Sequence, residues 1–354
     1  MRKIFTTETR RHGEKSFSGV NPLGFHYKRL KPKLRIILCV LCASVVILSG
    51  CTKDTATTKG EIIGFDDFGR KIVLPKIPER IVVISGSPID AIFELGAGER
   101  IVAVQDSIAR SYPETCRRYP SLLEKPRVGG FGNPNIEKIL SLNPDLIIPY
   151  GSSDSPGKYT EVFEKRGLPY AVFTTVENVA FGLEQIKRLG ILLGKEKEAE
   201  KLARQIKTEI DDLTVQISSQ AKSRPLVYYW WGSGNGTYGN RAAINELIEL
   251  AGGINLAGEF NRQYLDLSPE YVISRNPDVI IISYWQEDQQ EARVEEIKSR
   301  PGFSEVKAVK NNRIYTIDGH SFHTPIRFAE AIRNLAGFIH PELFITTEAQ
   351  RHGG

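Results

Sequence analysis

Two histidines three positions apart are the residues of this sequence best suited to bind a metal. His320 and His323 stand in the segment Gly-His-Ser-Phe-His, and neutral imidazole is a good ligand for iron or zinc. A bare metal ion needs three or four converging ligands. No matching set of His, Asp and Glu is visible in the first half of the chain, so we do not expect capture of a bare ion.

A larger group of aromatic and polar residues could form the walls of a ligand site. They follow predicted strands or lie in loops beside them, and ligands of open α/β sheets bind outside the carboxyl ends of the strands. Aromatic walls bury a large ligand at low entropic cost. We expect some of these residues to be core instead. The candidates are Ser85, Ser87, Phe131 and Tyr150 in the first half of the chain, and Trp230, Trp231, Tyr238, Arg241, Tyr284, Trp285, His320, Phe322, His323 and Arg327 in the second.

The common catalytic motifs are not visible. The chain has no nucleophile elbow, phosphate loop or dinucleotide fingerprint, because the glycines of segment 232–236 lack the required spacing. Cys116 is the only cysteine after residue 51, so residues 52–354 can form neither an internal disulfide nor a cysteine-ligated cluster. We therefore favour a binding protein, with no catalytic residues and no cofactor, over an enzyme.

A repeated pattern indicates how these residues are positioned. Residues 135–148 and 268–281, which start 133 positions apart, share an N-capping residue, a glutamate two positions later, Asn-Pro-Asp and an apolar β-branched run. Each copy predicts a short helix that ends before the proline, followed by a strand buried on both faces. The alternation of helices with strands around each copy predicts two α/β lobes with parallel-rich sheets.

One long amphipathic helix separates the two predicted lobes. Apolar residues recur at helical spacing from Ala199 to Ile217, which predicts a single helix over 195–222. A helix of this length would hold the lobes as a rigid pair. The predicted organisation is a Rossmann-like lobe over 61–194, the bridging helix, and a second Rossmann-like lobe over 223–345.

The N-terminal segment has the pattern of a lipoprotein signal peptide. After a long polar extension, basic residues precede an apolar stretch from Ile36 to Leu48, which is short for a bilayer span. The stretch ends in Leu-Ser-Gly-Cys, which resembles the lipobox of prokaryotic lipoproteins. This resemblance implies that Cys51 is the lipidation site, that residues 1–51 are the signal peptide and that 52–60 are a flexible tether. The alternative is a membrane-anchor helix. Residues 346–354 are predicted to be a disordered tail.

The charge distribution argues against a nucleic-acid partner. The net charge of +5 depends on residues 1–51, which hold ten Lys and Arg against two Asp and Glu. Residues 52–354 hold 37 basic and 40 acidic residues, a net charge of −3. A nucleic-acid binder concentrates basic charge in its fold. We expect a monomer.

Together, the lipobox, the two lobes, the bridging helix and the paired glutamates resemble the substrate-binding lipoproteins of ABC importers for iron chelates (siderophores, haem) and vitamin B12. The resemblance covers about residues 61–345 and implies the class III periplasmic-binding-protein architecture. It implies that Glu137 and Glu270 dock on arginines of the two permease subunits. The alternative is that each glutamate only complements its helix dipole, a contribution of about 0.3–1 kcal/mol.

The resemblance implies a metal chelate as ligand and an extracytoplasmic, lipid-anchored protein. A ferric siderophore or haem is favoured, and a corrinoid is the alternative. His320 or His323 could serve as an axial ligand to the chelated metal, or hydrogen-bond, or support the structure. A surface-anchored sensor and an enzyme acting on tetrapyrroles remain the alternative functions.

Overall fold

The structure is a computed structural model that describes residues 60–152 and 155–343. The chain divides into two units, Met1–Thr57 and Thr58–Gly354, and every element below belongs to the second. The predicted signal peptide with Cys51, most of the tether and the predicted tail lie outside the described residues. In the described ranges, no helix is both long and apolar enough to cross a bilayer.

Strands alternate with helices along the described chain, as the sequence predicts. The strands, in chain order, are β1 (Ile62–Phe65), β2 (Lys71–Leu74), β3 (Ile81–Val83), β4 (Ile101–Val104), β5 (Gly129–Gly130), β6 (Asn133–Pro134), β7 (Leu146–Ile148), β8 (Leu226–Trp230), β9 (Gly236–Tyr238), β10 (Ile254–Asn255), β11 (Tyr264–Asp266), β12 (Val279–Tyr284) and β13 (Ile314–Asp318). The α-helices are α1 (Ile89–Glu94), α2 (Ile108–Ser111), α3 (Pro113–Arg118), α4 (Ile136–Ser141), α5 (Thr160–Lys165), α6 (Val179–Leu192), α7 (Glu196–Gln220), α8 (Ala243–Leu250), α9 (Pro269–Arg275), α10 (Gln290–Ser299), α11 (Lys307–Lys310) and α12 (Phe328–Ile339).

Each lobe is built on a parallel sheet. The first sheet has the order β4-β3-β7 and the second the order β10-β8-β12-β13. All residues of β3 and β7 are buried, as are those of β12 up to Ser283. Such runs are typical of parallel strands covered by helices on both faces. The carboxyl ends of these strands define one functional edge in each lobe.

The two sequence repeats form the same local structure. Asn135 accepts a hydrogen bond from the N–H of Lys138 at 2.9 Å, and Ser268 accepts one from the N–H of Tyr271 at 3.2 Å, so both predicted N-caps are confirmed. Each helix is followed by an asparagine with positive φ, Asn143 at 43° and Asn276 at 50°. Asparagine tolerates this left-handed conformation, which turns the chain sharply into the proline and the buried strand.

Helix α7 and one continuous hydrophobic core connect the lobes. The helix is 25 residues long and buries Ala199, Ala203, Ile206, Ile210 and Ile217. The same core cluster contains residues of the first sheet, of α7, of the second sheet and of α12. Two α/β lobes bridged by one long helix are therefore the architecture of this chain.

Candidate functional site

A cavity of about 310 Å³ lies at the carboxyl ends of strands from both lobes. Ser85 follows β3 and Tyr150 follows β7, while Trp285 and His320 follow β12 and β13. The cavity is lined by Ile84, Ser85, Gly86, Ser87, Gln105, Ser111, Tyr112, Phe131, Tyr150, Gly151, Phe173, Thr174, Thr175, Tyr238, Tyr264, Trp285, Gln286, His320 and His323. None of these is Lys, Arg, Asp or Glu, so the two histidines are the only basic side chains of the described lining.

Most of the predicted ligand-binding residues come together at this cavity. The ones that line it are Ser85, Ser87, Phe131, Tyr150, Tyr238, Trp285, His320 and His323. Phe131 and Tyr150 are about half exposed and pack against each other with ring centroids 5.2 Å apart. They form the aromatic wall that the first lobe contributes.

Trp230 and Phe322 lie in the protein core rather than at the cavity, which corrects their prediction as wall residues. Trp230 is fully buried and donates its indole N–H to the carbonyl of Gly234 at 3.1 Å. Phe322 packs edge-on against Tyr229 at 5.4 Å. Tyr228 and Tyr229 on the same strand are both buried, because helices and loops cover both faces of the second sheet.

Arg241, Arg327 and Tyr284 also do not line the cavity. Arg241 is half exposed and lies 3.5 Å from the carboxylate of Glu177. Arg327 is buried and donates to Asp318 Oδ2 at 3.0 Å, so its charge is used within the fold. Tyr284, at the end of β12, is partly exposed beside the cavity residue Trp285.

Trp231 stands one layer behind the cavity wall. Its ring packs against the cavity residues Tyr238 and Tyr264 at centroid distances of 5.9 and 5.8 Å. Its carbonyl accepts a hydrogen bond from the indole N–H of Trp285 at 3.2 Å. Trp231 therefore positions three aromatic wall residues without lining the cavity itself.

Asp318, the last residue of β13, orients His320. Its Oδ1 lies 3.0 Å from His320 Nδ1 and also accepts the His320 backbone N–H at 3.0 Å. Burial alone would raise the pKa of Asp318, but the hydrogen bonds from His320 and the Arg327 charge hold that pKa below its usual value. An ionised carboxylate only accepts hydrogen bonds, so His320 donates to it through Nδ1, and in the neutral imidazole Nε2 is then the nitrogen with the free lone pair. Such a carboxylate–histidine pair is typical of metal-ligating histidines.

His323 is held in its neutral form. Burial, and then the neighbouring His320, lowers the pKa of His323 from 6.5 to about 4. Its ring stacks on Trp285 with centroids 5.9 Å apart and an interplanar angle of 14°. Within the described residues its Nδ1 has no hydrogen-bond partner. No group of three His, Cys, Asp or Glu in residues 60–152 and 155–343 converges as a metal site.

Several cavity residues were missed from the sequence. Tyr112 packs against His320 with ring centroids 4.2 Å apart, and burial raises its pKa to about 12. Gly86 permits this position, because a Cβ there would lie 2.1 Å from the Tyr112 ring. Gln105 and Gln286 follow strand ends and could have been found by the rule applied to the others. Ile84, Ser111, Phe173, Thr174, Thr175 and Tyr264 also line the cavity and were not predicted.

Glu137 and Glu270 occupy equivalent positions in the first turns of α4 and α9. Both are exposed. Neither carboxylate takes part in an ion pair or hydrogen bond within the described part of the chain. Each lobe thus presents one free carboxylate at a helix N-terminus.

Comparisons with known proteins agree with this architecture. Residues 81–320, more than half of the chain, match the family model for periplasmic binding proteins. The uncharacterized ABC transporter substrate-binding lipoprotein YvrC of Bacillus subtilis is 26% identical over 87% of this chain and 98% of its own length. The vitamin B12-binding protein of Vibrio cholerae is 25% identical over 74% of this chain and 89% of its own.

A solved structure extends the comparison to the fold. The periplasmic haem-binding protein RhuT from Roseiflexus, in its apo form, superposes with a TM-score of 0.64. It is 26% identical, and the match covers 75% of this chain and 99% of that one. The lobes, the bridging helix, the cavity between the lobes and these matches lead to one assignment: the chain belongs to the periplasmic binding protein family and is an extracytoplasmic binding protein.

Proposed function

We propose that this protein captures a metal chelate between its lobes and delivers it to an ABC permease dimer. A ferric siderophore or haem is the leading ligand. The protein acts by binding alone, as a monomer without a cofactor, and Cys51 carries the lipid that tethers it to the membrane. The relatives support the transport role, because their names describe an ABC transporter lipoprotein and binders of haem and vitamin B12.

The observation that carries this proposal is the aromatic cavity with a poised imidazole. Phe131, Tyr150 and Trp285 offer flat apolar surface, which suits a large planar or macrocyclic ligand. The Asp318–His320 pair leaves His320 Nε2 free to approach a chelated metal as an axial ligand. His323 is the second candidate for this role, because its imidazole stays neutral above about pH 4.

A corrinoid is the second candidate ligand. The cavity lining holds neither Arg241 nor Arg327, nor any other Lys or Arg. An uncharged aromatic cavity suits a ligand whose periphery consists mainly of amides. The Vibrio cholerae relative is named for vitamin B12, which favours the same candidate.

The experiment is a fluorescence titration of residues 52–354 with ferric siderophores, haemin and cyanocobalamin. Trp285 lines the cavity whereas Trp230 is fully buried, so a coloured chelate should quench Trp285 first. We expect saturable quenching by one class of ligand. Trp285→Phe should reduce the ligand-induced quenching more than Trp230→Phe does. Absence of saturable binding by all three classes would reject the proposal and favour a sensor of another ligand.

A further inference from the structure

A second, smaller cavity of about 150 Å³ adjoins the main one. Both cavities share Ile84, Phe131 and Tyr150 as lining residues. The tilted Phe131–Tyr150 ring pair therefore forms a common aromatic wall, with one cavity on each side of it. We call the smaller cavity the side pocket. It is otherwise lined by Gly132, Pro134, Pro149, Pro156, Gly157, Lys158, Tyr159 and Thr160.

Lys158 gives the side pocket a charge that the main cavity lacks. It is the only Lys, Arg, Asp or Glu among the described residues that line either cavity. Lys158 is exposed, and its Nζ lies 4.9 Å from the centroid of the Tyr159 ring. Within residues 60–152 and 155–343 it forms no ion pair. No described acidic residue therefore occupies the ammonium group of Lys158.

The other polar groups of the side pocket are already engaged. The Tyr159 hydroxyl donates to the carbonyl of Gly132 at 2.6 Å, and the Thr160 hydroxyl donates to the carbonyl of Gly157 at 2.7 Å. Gly157 has a φ of 92°, and a Cβ there would lie 2.5 Å from the carbonyl oxygen of Tyr150. The walls are thus fixed by internal hydrogen bonds and close packing. Lys158 remains as the recognition group.

Size and charge together indicate what occupies this space. The main cavity is at the small end of the range of about 300–1,000 Å³ for ligand sites, so a macrocyclic chelate would extend beyond it. An anionic substituent finds no Lys or Arg in the main cavity, and Lys158 lies directly across the shared aromatic wall. A charge-assisted contact to an ammonium group is the favourable environment for a carboxylate or phosphate.

From this geometry we infer that the side pocket is a specificity subsite that receives an anionic arm of the ligand, a carboxylate or phosphate, which pairs with Lys158. This inference rests on the proposed function, since it assumes that a chelate occupies the main cavity. The inference narrows the proposed ligand to chelates that have at least one anionic substituent at their periphery. Phe131 and Tyr150 position the arm between the two cavities.

The test compares ligands that differ only in, or chiefly in, the anionic arm. Residues 52–354 are titrated with haemin and haemin dimethyl ester, and with cyanocobalamin and dicyanocobinamide, which lacks the nucleotide phosphate. Lys158→Glu should weaken the anionic member of the bound pair by about tenfold or more and leave its counterpart unchanged. Lys222→Glu is the matched control, because Lys222 is also exposed, forms no ion pair with the described residues and lines neither cavity.

A second variant tests occupancy of the side pocket without a change of charge. A Cβ at Gly132 meets no atom within 4 Å, so Gly132→Leu should fold normally and fill the pocket. It should weaken haemin and its dimethyl ester alike, because the acid and the ester arm need the same space, and it should weaken cyanocobalamin more than dicyanocobinamide, which has no nucleotide arm.

Three outcomes would overturn the inference. Lys158→Glu could leave the affinity for the anionic ligand within about twofold of wild type, a change too small for a charge-assisted contact. Gly132→Leu could bind both ligands normally. A ferric siderophore could be the only chelate bound, and Lys158→Glu could bind it as tightly as wild type does. In that last case the proposed function survives and only the anionic subsite is rejected.

Discussion

At the scale of single residues, Asp318 determines the chemistry of the second-lobe cavity wall. One carboxylate oxygen holds His320 and the other holds the buried Arg327, both at 3.0 Å. The arginine charge is therefore neutralised inside the fold. This arrangement leaves the cavity with histidines as its only titratable cationic groups among the described lining residues.

The lowered pKa of His323 makes the stability of the protein pH-dependent. The folded chain keeps this imidazole neutral down to about pH 4, whereas the unfolded chain protonates it near 6.5. Between these values the unfolded state binds more protons, so the free energy of unfolding falls as the pH falls. At pH 5 the His323 contribution should have fallen by about 2 kcal/mol relative to pH 7.5.

Urea unfolding of wild type and His323→Asn at pH 7.5, 6 and 5 measures this contribution. The variant removes the titrating group. Any loss of packing in the variant is the same at each pH, so it cancels when the free energy of unfolding of each protein is expressed relative to its own value at pH 7.5. The wild-type protein should lose more stability than the variant as the pH falls. Parallel stability curves for the two proteins would show that His323 titrates normally.

The sequence predicted much of the cavity because strand ends mark the functional edge of an open sheet. Ser85 and Trp285 were found in this way. The rule fails where a strand-end side chain is buried in the core instead of facing the cavity, as that of Trp230 is. It also cannot find Tyr112, which reaches the cavity from a helix-to-helix junction by packing over Gly86.

At the scale of elements, the close contact between α6 and α7 depends on Gly190. A Cβ at this position would lie 2.2 Å from the Ala199 Cβ and 3.0 Å from the carbonyl oxygen of Lys195. Both atoms belong to the start of the bridging helix or its cap. The two helices therefore pack backbone to backbone at the junction between the first lobe and α7.

Gly190→Ala should destabilise the protein although alanine is the better helix former. Overpacking at a close helix contact costs about 1–3 kcal/mol. Gly337→Ala, inside α12, is the matched control: a Cβ there meets nothing within 4 Å, so it should stabilise by up to about 1 kcal/mol. Urea midpoints of the two variants should move in opposite directions, and a Gly190→Ala midpoint at or above wild type would refute this contact.

The helix N-termini of α4 and α9 give a prediction for transport. Glu137→Ala or Glu270→Ala should reduce uptake in cells that lack their own binding protein, while ligand affinity stays unchanged, because both carboxylates lie outside the cavity. Glu161→Ala is the control, since Glu161 is also exposed in the first turn of a first-lobe helix. Normal uptake, or loss of ligand binding, in the Glu137 and Glu270 variants would reject the docking role.

The repeated helices show which part of an element sequence alone can predict. The N-caps and the position of both glutamates follow from local hydrogen-bonding chemistry, and the structure has both caps. The left-handed Asn143 and Asn276 were not predicted, because Asn-Pro only excludes the right-handed helix and allows more than one way out of it. The position of the buried strand that follows decides which backbone conformation the asparagine adopts.

At the scale of the whole molecule, the lobes are coupled by apolar packing more than by surface charge. Arg117 and Glu287 form an ion pair across the lobes at 2.7 Å, and Arg118 and Glu330 form another at 2.5 Å. All four side chains are more than a third exposed, and such pairs contribute little. The core cluster through α7 and α12, by contrast, is continuous from one lobe to the other.

A continuous core predicts that both lobes unfold in one cooperative transition. The chain offers two probes that separate the alternatives. All three tryptophans lie in the second lobe, so their fluorescence reports mainly that lobe, whereas far-ultraviolet circular dichroism reports the helices of both lobes and α7. The two signals should give the same urea midpoint, and Arg118→Ala should leave them coincident because the exposed pair is not what couples the lobes. Separate midpoints would mean that each lobe unfolds on its own, and that the bridging helix links two independent units instead of making them rigid.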